Sequence, residues 1–360
     1  MQYAITFIPG DGIGPEVADA ARKCVDAAAD VDGFSVEWDE QLAGEEAMNK
    51  HGTLLPQKTI ASIKRNGVAL KGPVTTPIGT GFRSINVELR QQLDLFANVR
   101  PAKLISGIAS KYSNVDIVVI RENTEDVYAG IEYDTNTSSA RKLIRFAKRT
   151  TGKTIRKDSA IGFKPISPYG SRRIAEFAFE YAKIHKRRLV TAVHKANIMK
   201  FTDGLFLREA RKISDKHKSI KFDDRIIDNM CMQLVVKPEL YDVLLCPNLY
   251  GDILSDLCSG LVGGLGIAPS GNIGSHYAIF EPVHGSAPKY SRMDKVNPTA
   301  AVLSAAMMLE HLGKIKAARN IEKAVASVIK EGKHLTYDLK EKNPAGTKEM
   351  AIAIIRKIKG

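Results

Sequence analysis

Between positions 241 and 266 the chain reads YDVLLCPNLYGDILSDLCSGLVGGLG, a run that few structures accept. Its first apolar stretch, VLLC at 243–246, has the length of a buried strand, and Pro247-Asn248 ends it. From Gly251 onward, Ile253, Leu254, Leu257 and Leu261 recur at the spacing of one helix face. Similar strand and helix patterns follow one another elsewhere: a strand at 34–38, helices near 44–50 and 57–65, and strands at 67–70 and 115–120. A helix at 171–184 and a strand at 189–193 continue the series. This alternation predicts an α/β fold with a largely parallel sheet. At 360 residues the chain exceeds what one hydrophobic core usually carries, so two lobes are expected.

Asp252 and Asp256 stand four apart on the predicted helix, one above the other. Such a like-charged pair costs a few tenths of a kcal/mol unless a positive group lies between its members. A hard divalent cation held by oxygen ligands meets that need; a solvated acidic face is the alternative. Asp228, read as closing a short strand near 226–229, offers a third carboxylate.

Other stretches carry polar groups suited to an anionic ligand. GDGIGP at 10–15 is a glycine-rich strand-to-helix turn, a place where backbone N–H groups can cradle phosphate. Its G-x-G-x-G spacing is not the dinucleotide fingerprint. In the run 71–101, a Gly/Thr/Pro loop ends near Ser84, a predicted N-cap. The following helix buries Ile85, Leu89, Leu93 and Phe96. Asn86 and Arg90 share another face, with Arg100 just past the helix end. Guanidiniums bind carboxylates bidentately, so this set fits a polycarboxylate. Arg121 and Tyr128 follow a buried strand, where ligands commonly bind in α/β proteins. Lys195 lies just past another strand and could titrate if desolvated. The glycine-rich stretches 268–274 and 281–288 read as irregular loops, and 299–312 as a core helix.

The formal charge of +13 is concentrated, with eight Lys/Arg and no acid in 141–157. RNA binding through this segment is one reading of such a run. Without interleaved aromatics or a nucleic-acid motif, a solvated surface that attracts anionic substrates is the reading adopted. Cys24, Cys231, Cys246 and Cys258 show no metal-ligand spacing and read as reduced thiols. With no signal-peptide pattern and no run of membrane-spanning length, a cytoplasmic protein is expected.

Taken together, IPGDGIGP at 8–15, the run 71–101, RENTEDVYAG at 121–130, HKANIMK at 194–200, NLYGDILSD at 248–256, APSGNIG at 268–274 and EPVHGSAP at 281–288 resemble the β-decarboxylating dehydrogenases. That family acts on isocitrate, 3-isopropylmalate, homoisocitrate or tartrate, and the resemblance spans essentially the whole chain. It implies a two-lobed fold distinct from the standard Rossmann fold. One lobe would comprise 1–97 and 263–360, and the other 98–262, with the active site in the cleft between them. The second lobe would carry the homodimer interface and a clasp near 131–165.

By the same resemblance, Asp252 and Asp256 would bind Mg²⁺ or Mn²⁺, with Asp228 reaching in from the partner subunit. Arg90, Arg100 and Arg121 would clamp the substrate, and Tyr128 with the partner's Lys195 would transfer protons. Cofactor contacts would fall at Ile13, Thr76, His284, Gly285, Ser286, Ala287, Lys289, Tyr290, Asn297 and Tyr337. Ser84 and Asn86 match the isocitrate pattern, with homoisocitrate or isopropylmalate as alternatives. Lys289 and Tyr290, where NAD-using members carry an aspartate first, resemble the NADP pattern, with NAD as the alternative. Glu341 departs from that pattern, which has arginine there. A non-catalytic regulatory subunit is disfavoured because every expected position is filled.

Overall fold

A computed structural model describes residues 2–75 and 84–360 of the chain. The N-terminal part contains β1 (Gln2–Ile8), α1 (Gly14–Asp32), β2 (Ser35–Glu40), α2 (Glu45–His51), α3 (Gln57–Asn66), β3 (Val68–Lys71) and α4 (Ile85–Gln92). The middle contains β4 (Ala97–Lys103), β5 (Asp116–Glu122), β6 (Glu132–Tyr133), α5 (Ser138–Thr151), β7 (Ile161–Gly162) and α6 (Pro168–Ile184). It continues with β8 (Leu189–His194), α7 (Thr202–Ser214), β9 (Lys221–Ile226), α8 (Ile227–Val236), β10 (Val243–Cys246) and α9 (Asn248–Val262). The chain ends with β11 (Pro269–Ile273), β12 (Ala278–Pro282), α10 (Thr299–His311), α11 (Ile315–Glu331) and α12 (Thr347–Lys359).

Among the described residues, ten strands form one sheet in the order β2-β1-β3-β12-β11-β4-β5-β10-β8-β9. Its two ends are parallel, as the alternation predicts, but its middle is not. β12–β11, β11–β4 and β4–β5 all pair antiparallel. No helix separates β4 from β5 or β11 from β12, and a parallel pair needs such a crossover. The expected parallel sheet is therefore corrected to a mixed one.

Helices cover both faces of each end of the sheet. α1, α10, α11 and α12 pack through Val17, Val25, Val302, Ile321 and Ile354 onto β1, β3 and β12. A separate core joins α6 and α7 to β5, β8 and β10 through Ile174, Phe179 and Phe206, and a third joins α8 and α9 to the same strands. α9 forms despite its stacked aspartates. Leu254 is fully buried and Leu261 nearly so, and each such burial contributes about 1.5–3 kcal/mol, well above the few tenths lost to repulsion.

Several sequence expectations shift. Asp228 lies in the first turn of α8, not at a strand end, because β9 stops at Ile226. Arg100 belongs to strand β4, and Phe96 lies beyond α4, which ends at Gln92. The 268–274 loop contains strand β11, and the 281–288 loop begins inside β12. Pro, Ser, Gly and Asn have poor strand preference, so only the pairing with neighbours specifies β11. Ile253, read as part of the buried stripe, is half exposed. The four cysteines are free, three of them buried and Cys231 partly exposed. No helix among the described residues is long and apolar enough to cross a membrane.

Candidate active site

The centre of the sheet gathers the arginines. β4 carries Arg100, the end of β5 carries Arg121, and α4 carries Arg90. α9 faces them with its aspartates. Arg121 Nη1 reaches Asp252 Oδ1 at 2.5 Å, and Arg100 Nη1 reaches the same oxygen at 3.1 Å. Arg100 also lies 3.6 Å from Asp256 Oδ1 and donates to Ser255 Oγ at 2.7 Å. The Tyr128 hydroxyl donates a short hydrogen bond to Asp252 Oδ2, and the Arg121 guanidinium lies 4.8 Å from the Tyr128 ring centroid. One carboxylate thus holds two guanidiniums and a phenol in one place.

Burial sets the electrostatics. Removal from water, with Arg100 and Arg90 close by, pushes Arg121 down to about 9, still above neutral pH. Burial likewise lowers Arg90. Asp252 is raised by burial, but Arg121 and Arg100 outweigh that and hold it below the usual carboxylate range. Asp256 is raised, chiefly by burial. Burial and its bond to Asp252 raise the Tyr128 hydroxyl.

Arg121 keeps this aim because its stem crosses the first turn of α9 at a glycine. A Cβ on Gly251 would lie 2.6 Å from Arg121 Cγ. The guanidinium then donates from Nε to the Asn248 carbonyl at 2.9 Å and from Nη2 to Asn248 Oδ1 at 2.8 Å. Arg90 is fixed from behind: its Nε donates to Asn272 Oδ1 at 3.0 Å. Glu281 lies 3.8 Å from it and pairs with fully buried Lys71 at 2.6 Å. Lys71 and Asn272 lie in the 71–101 and 268–274 stretches but were not singled out there, since strand pairing brings both to the site.

A cavity of about 80 Å³ opens beside these groups, lined by Asn86, Arg90, Arg100, Ser270, Glu281 and His284, among others. Asn86 Oδ1 and His284 Nε2 are buried with no hydrogen-bond partner among the described residues. Burial lowers His284. Ser84 occupies the N-cap position of α4 but makes no side-chain cap bond, and it is exposed. The predicted cap is absent and its hydroxyl is not committed to the helix. Thr76 lies outside the described residues.

Lys195 and Asp228 meet each other in a short ion pair, and the hydrogen bond from Lys195 lowers Asp228. Among the described residues no three His, Cys, Asp or Glu side chains gather where they could hold a metal ion. One chain therefore brings Asp252 and Asp256 together but does not add Asp228 to them.

The remaining predicted residues line the region beside the N-terminus of α1. The Ile13 N–H donates to the Ser286 carbonyl at 2.9 Å, and Thr75 and Ser286 hydroxyls bond at 2.7 Å. Gly12 is required there: its φ is +59°, and a Cβ would fall 2.1 Å from the Ser286 carbonyl oxygen. Gly285 is exposed, and Ala287 adopts a left-handed φ of 37°. Tyr290 and Tyr337 rings lie 6.0 Å apart. Lys289 stands 4.8 Å from the Tyr290 ring centroid, and Lys295 stands 4.7 Å from that of Tyr337. Lys295 was not foreseen, since its place in this cluster depends on the fold rather than on spacing. Asn297 is tied to Asp338 at 2.9 Å. Glu341 is exposed a few residues beyond.

The family model for isocitrate/isopropylmalate dehydrogenase matches residues 4–354. The chain belongs to the isocitrate/isopropylmalate dehydrogenase family. It is 45% identical to isocitrate dehydrogenase [NADP] of Archaeoglobus fulgidus, over 98% of this chain and 92% of that protein. It is 46% identical to the mitochondrial isocitrate dehydrogenase [NAD] subunit alpha of Homo sapiens, over 93% of this chain and 85% of that one. A crystal structure of isocitrate dehydrogenase from Methylococcus capsulatus superposes with a TM-score of 0.91 at 47% identity, covering 99% of this chain and all of that one. The α/β architecture is thus that of the isocitrate/isopropylmalate dehydrogenase family.

Proposed function

We propose that the chain catalyses oxidative decarboxylation of isocitrate to 2-oxoglutarate and CO₂, with Mg²⁺ or Mn²⁺ and with NADP in preference to NAD. The observation that carries this reading is the meeting of Arg100, Arg121, Tyr128 and Asp252 beside the Arg90–Asn86 cavity. Three guanidiniums facing two aspartates make a site suited to a polyanion that arrives with a cation. Asp252 and Asp256 supply hard oxygen donors one helical turn apart, which fits such a metal, and Asp228 of the partner subunit is the third ligand in this reading. The metal, when bound, supplies charge stabilisation to a carboxylate and an adjacent hydroxyl. The nicotinamide supplies the hydride acceptor.

The chain's own residues divide the remaining work. Arg90, Arg100 and Arg121 bind and orient the carboxylates, and Ser84 and Asn86 hydrogen-bond the γ-carboxylate. Lys195 removes or relays the hydroxyl proton at C2, and Tyr128 returns a proton to carbon after CO₂ has left. His284, Gly285, Ser286 and Ala287 shape the cofactor side, with Ile13, Thr76 and Asn297. The unpartnered His284 nitrogen and the Lys–Tyr cluster support a cofactor there.

The reading includes a cytoplasmic homodimer of two-lobed subunits, 1–97 with 263–360 and 98–262. The separate apolar cores at the two ends of the sheet support the lobes. Exposed Met232, Val235 and Val236 on α8, with Leu240 and Ile253, support a partner that covers α8 and α9 and contributes Lys195 and Asp228.

A substrate panel tests the activity. With Mg²⁺ and both nicotinamide cofactors, kcat/KM for isocitrate should exceed that for isopropylmalate by at least about a hundredfold, and that for homoisocitrate, a tricarboxylate one methylene longer, by less. A polar pocket rejects an apolar analogue because its buried donors go unpaired. Equal rates, or no turnover of isocitrate, overturn the reading.

Gly251→Ala tests the aim of Arg121. Alanine favours the helix by about 1 kcal/mol, but overpacking against the Arg121 stem costs about 1–3 kcal/mol. A lower denaturation midpoint is expected, with kcat/KM for isocitrate reduced about tenfold or more. Unchanged kinetics in this variant would show that Arg121 tolerates displacement.

A further inference from the structure

A second buried polar cluster lies beside the site and is used by none of the steps above. Its centre is Lys164, whose ammonium lies 2.8 Å from Asp203 Oδ1 and 3.8 Å from Asp126 Oδ1. Both carboxylates belong to fully buried residues. The same ammonium reaches the Tyr250 hydroxyl at 3.4 Å and lies 4.4 Å from that ring's centroid. A cation between two buried carboxylates is a demanding arrangement, because removing it leaves charge in a low-dielectric interior.

Each carboxylate holds a different turn. Asp203 Oδ2 accepts the Lys195 backbone N–H at 2.7 Å, which fixes the turn just past β8. Asp126 begins the short helical turn that carries Tyr128 and adopts a left-handed φ of 69°. Its Oδ1 accepts the Val127 N–H at 2.8 Å, and its Oδ2 accepts the Leu249 N–H at 3.0 Å, in the first turn of α9. The Asp126 N–H donates to the carbonyl of Pro165, next to Lys164. The cluster thus joins the Tyr128 turn, the Lys195 turn and the helix bearing Asp252.

We infer that Lys164 is a positioning residue for proton transfer: clasped by Asp126 and Asp203, it holds the turns bearing Tyr128 and Lys195 in place. This rests on the reading of Tyr128 and the partner's Lys195 as the proton-transfer pair, so the cluster of each chain holds Tyr128 for its own site and Lys195 for that of its partner. Among the described residues, Lys164 hydrogen-bonds or ion-pairs with neither the substrate arginines nor either aspartate of α9. Its loss should therefore act on turnover rather than on substrate binding.

Steady-state kinetics of Lys164→Met, with saturating metal and cofactor, test this. A misplacement of about 1 Å can cost about a hundredfold in rate, so kcat should fall about a hundredfold while KM for isocitrate stays within about threefold. A folded variant with kcat near wild type overturns the inference, as does a rise in KM that matches the loss in kcat. If Lys164→Met does not fold, the pair Lys164→Met with Asp203→Asn removes the opposed charges and leaves an acceptor for the Lys195 N–H. The same split is then read on that protein. If neither folds, the cluster serves folding alone and the inference fails. Tyr128→Phe and Lys195→Met are measured alongside. Normal kcat in both of these overturns the proton-transfer reading and the inference with it. Loss in both, with normal kcat in Lys164→Met, overturns the inference alone.

Discussion

Ser84→Asp should lower kcat/KM for isocitrate by about a thousandfold or more while leaving the protein folded. Ser84 stands at the start of α4, exposed, with no side-chain cap bond to lose. Aspartate is itself a good N-cap, so the helix has no reason to unravel. In the proposed site, the penalty comes from placing a new carboxylate against the γ-carboxylate of the substrate. Two like charges about 4 Å apart at an effective dielectric near 20 repel by about 4 kcal/mol, or about three decades in rate. Ser84→Asn keeps a hydrogen-bonding group without the charge and should lose far less. The comparison needs kcat/KM for both variants, with circular dichroism and a denaturation midpoint to establish folding. If Ser84→Asp keeps more than a tenth of wild-type kcat/KM, Ser84 does not face the substrate.

What could be read from the sequence was local. The strand-to-helix unit at β10–α9 is encoded within about twenty positions by period and by the Pro247 break, and Asp252 and Asp256 share a face by spacing alone. β11 was hidden because Pro-Ser-Gly-Asn-Ile has little preference for a strand, and the pairing with β4 and β12 overrides propensity. Arg100 was read beside a helix and lies in a strand, yet its distance from Asp252 is short because β4 crosses beneath α9. The Asp126–Lys164–Asp203 cluster joins positions far apart in the chain, so no periodicity announces it. Burial of a charged residue is likewise invisible until its partner is known: Asp203 and Lys71 carry no burial signal in their local sequence and are both enclosed.

Cofactor choice should follow the Lys289–Tyr290–Tyr337 group, with wild-type kcat/KM higher for NADP than for NAD. Tyr290 and Tyr337 lie 6.0 Å apart, with Lys289 and Lys295 within 4.8 and 4.7 Å of their respective ring centroids. Hydrogen bonding with Tyr337, then the charge of Lys289, holds Tyr290 below the usual tyrosine range. Two ammonium groups and two phenols on one surface suit a 2′-phosphate dianion, whereas free ribose hydroxyls are better served by an aspartate acceptor. Lys289→Asp with Tyr290→Ile removes a cation and a donor and adds a repelling charge. Losing a cation and a donor while gaining a repelling charge should move the NADP/NAD ratio of kcat/KM about a thousandfold toward NAD. Glu341, an exposed acid further along the chain, is the position that departs from the NADP pattern. If wild-type kcat/KM proves higher with NAD, the Lys289–Tyr290 reading is wrong and Glu341 becomes the residue to re-examine. Glu341→Arg should then recover NADP use where the changes at Lys289 and Tyr290 have little effect.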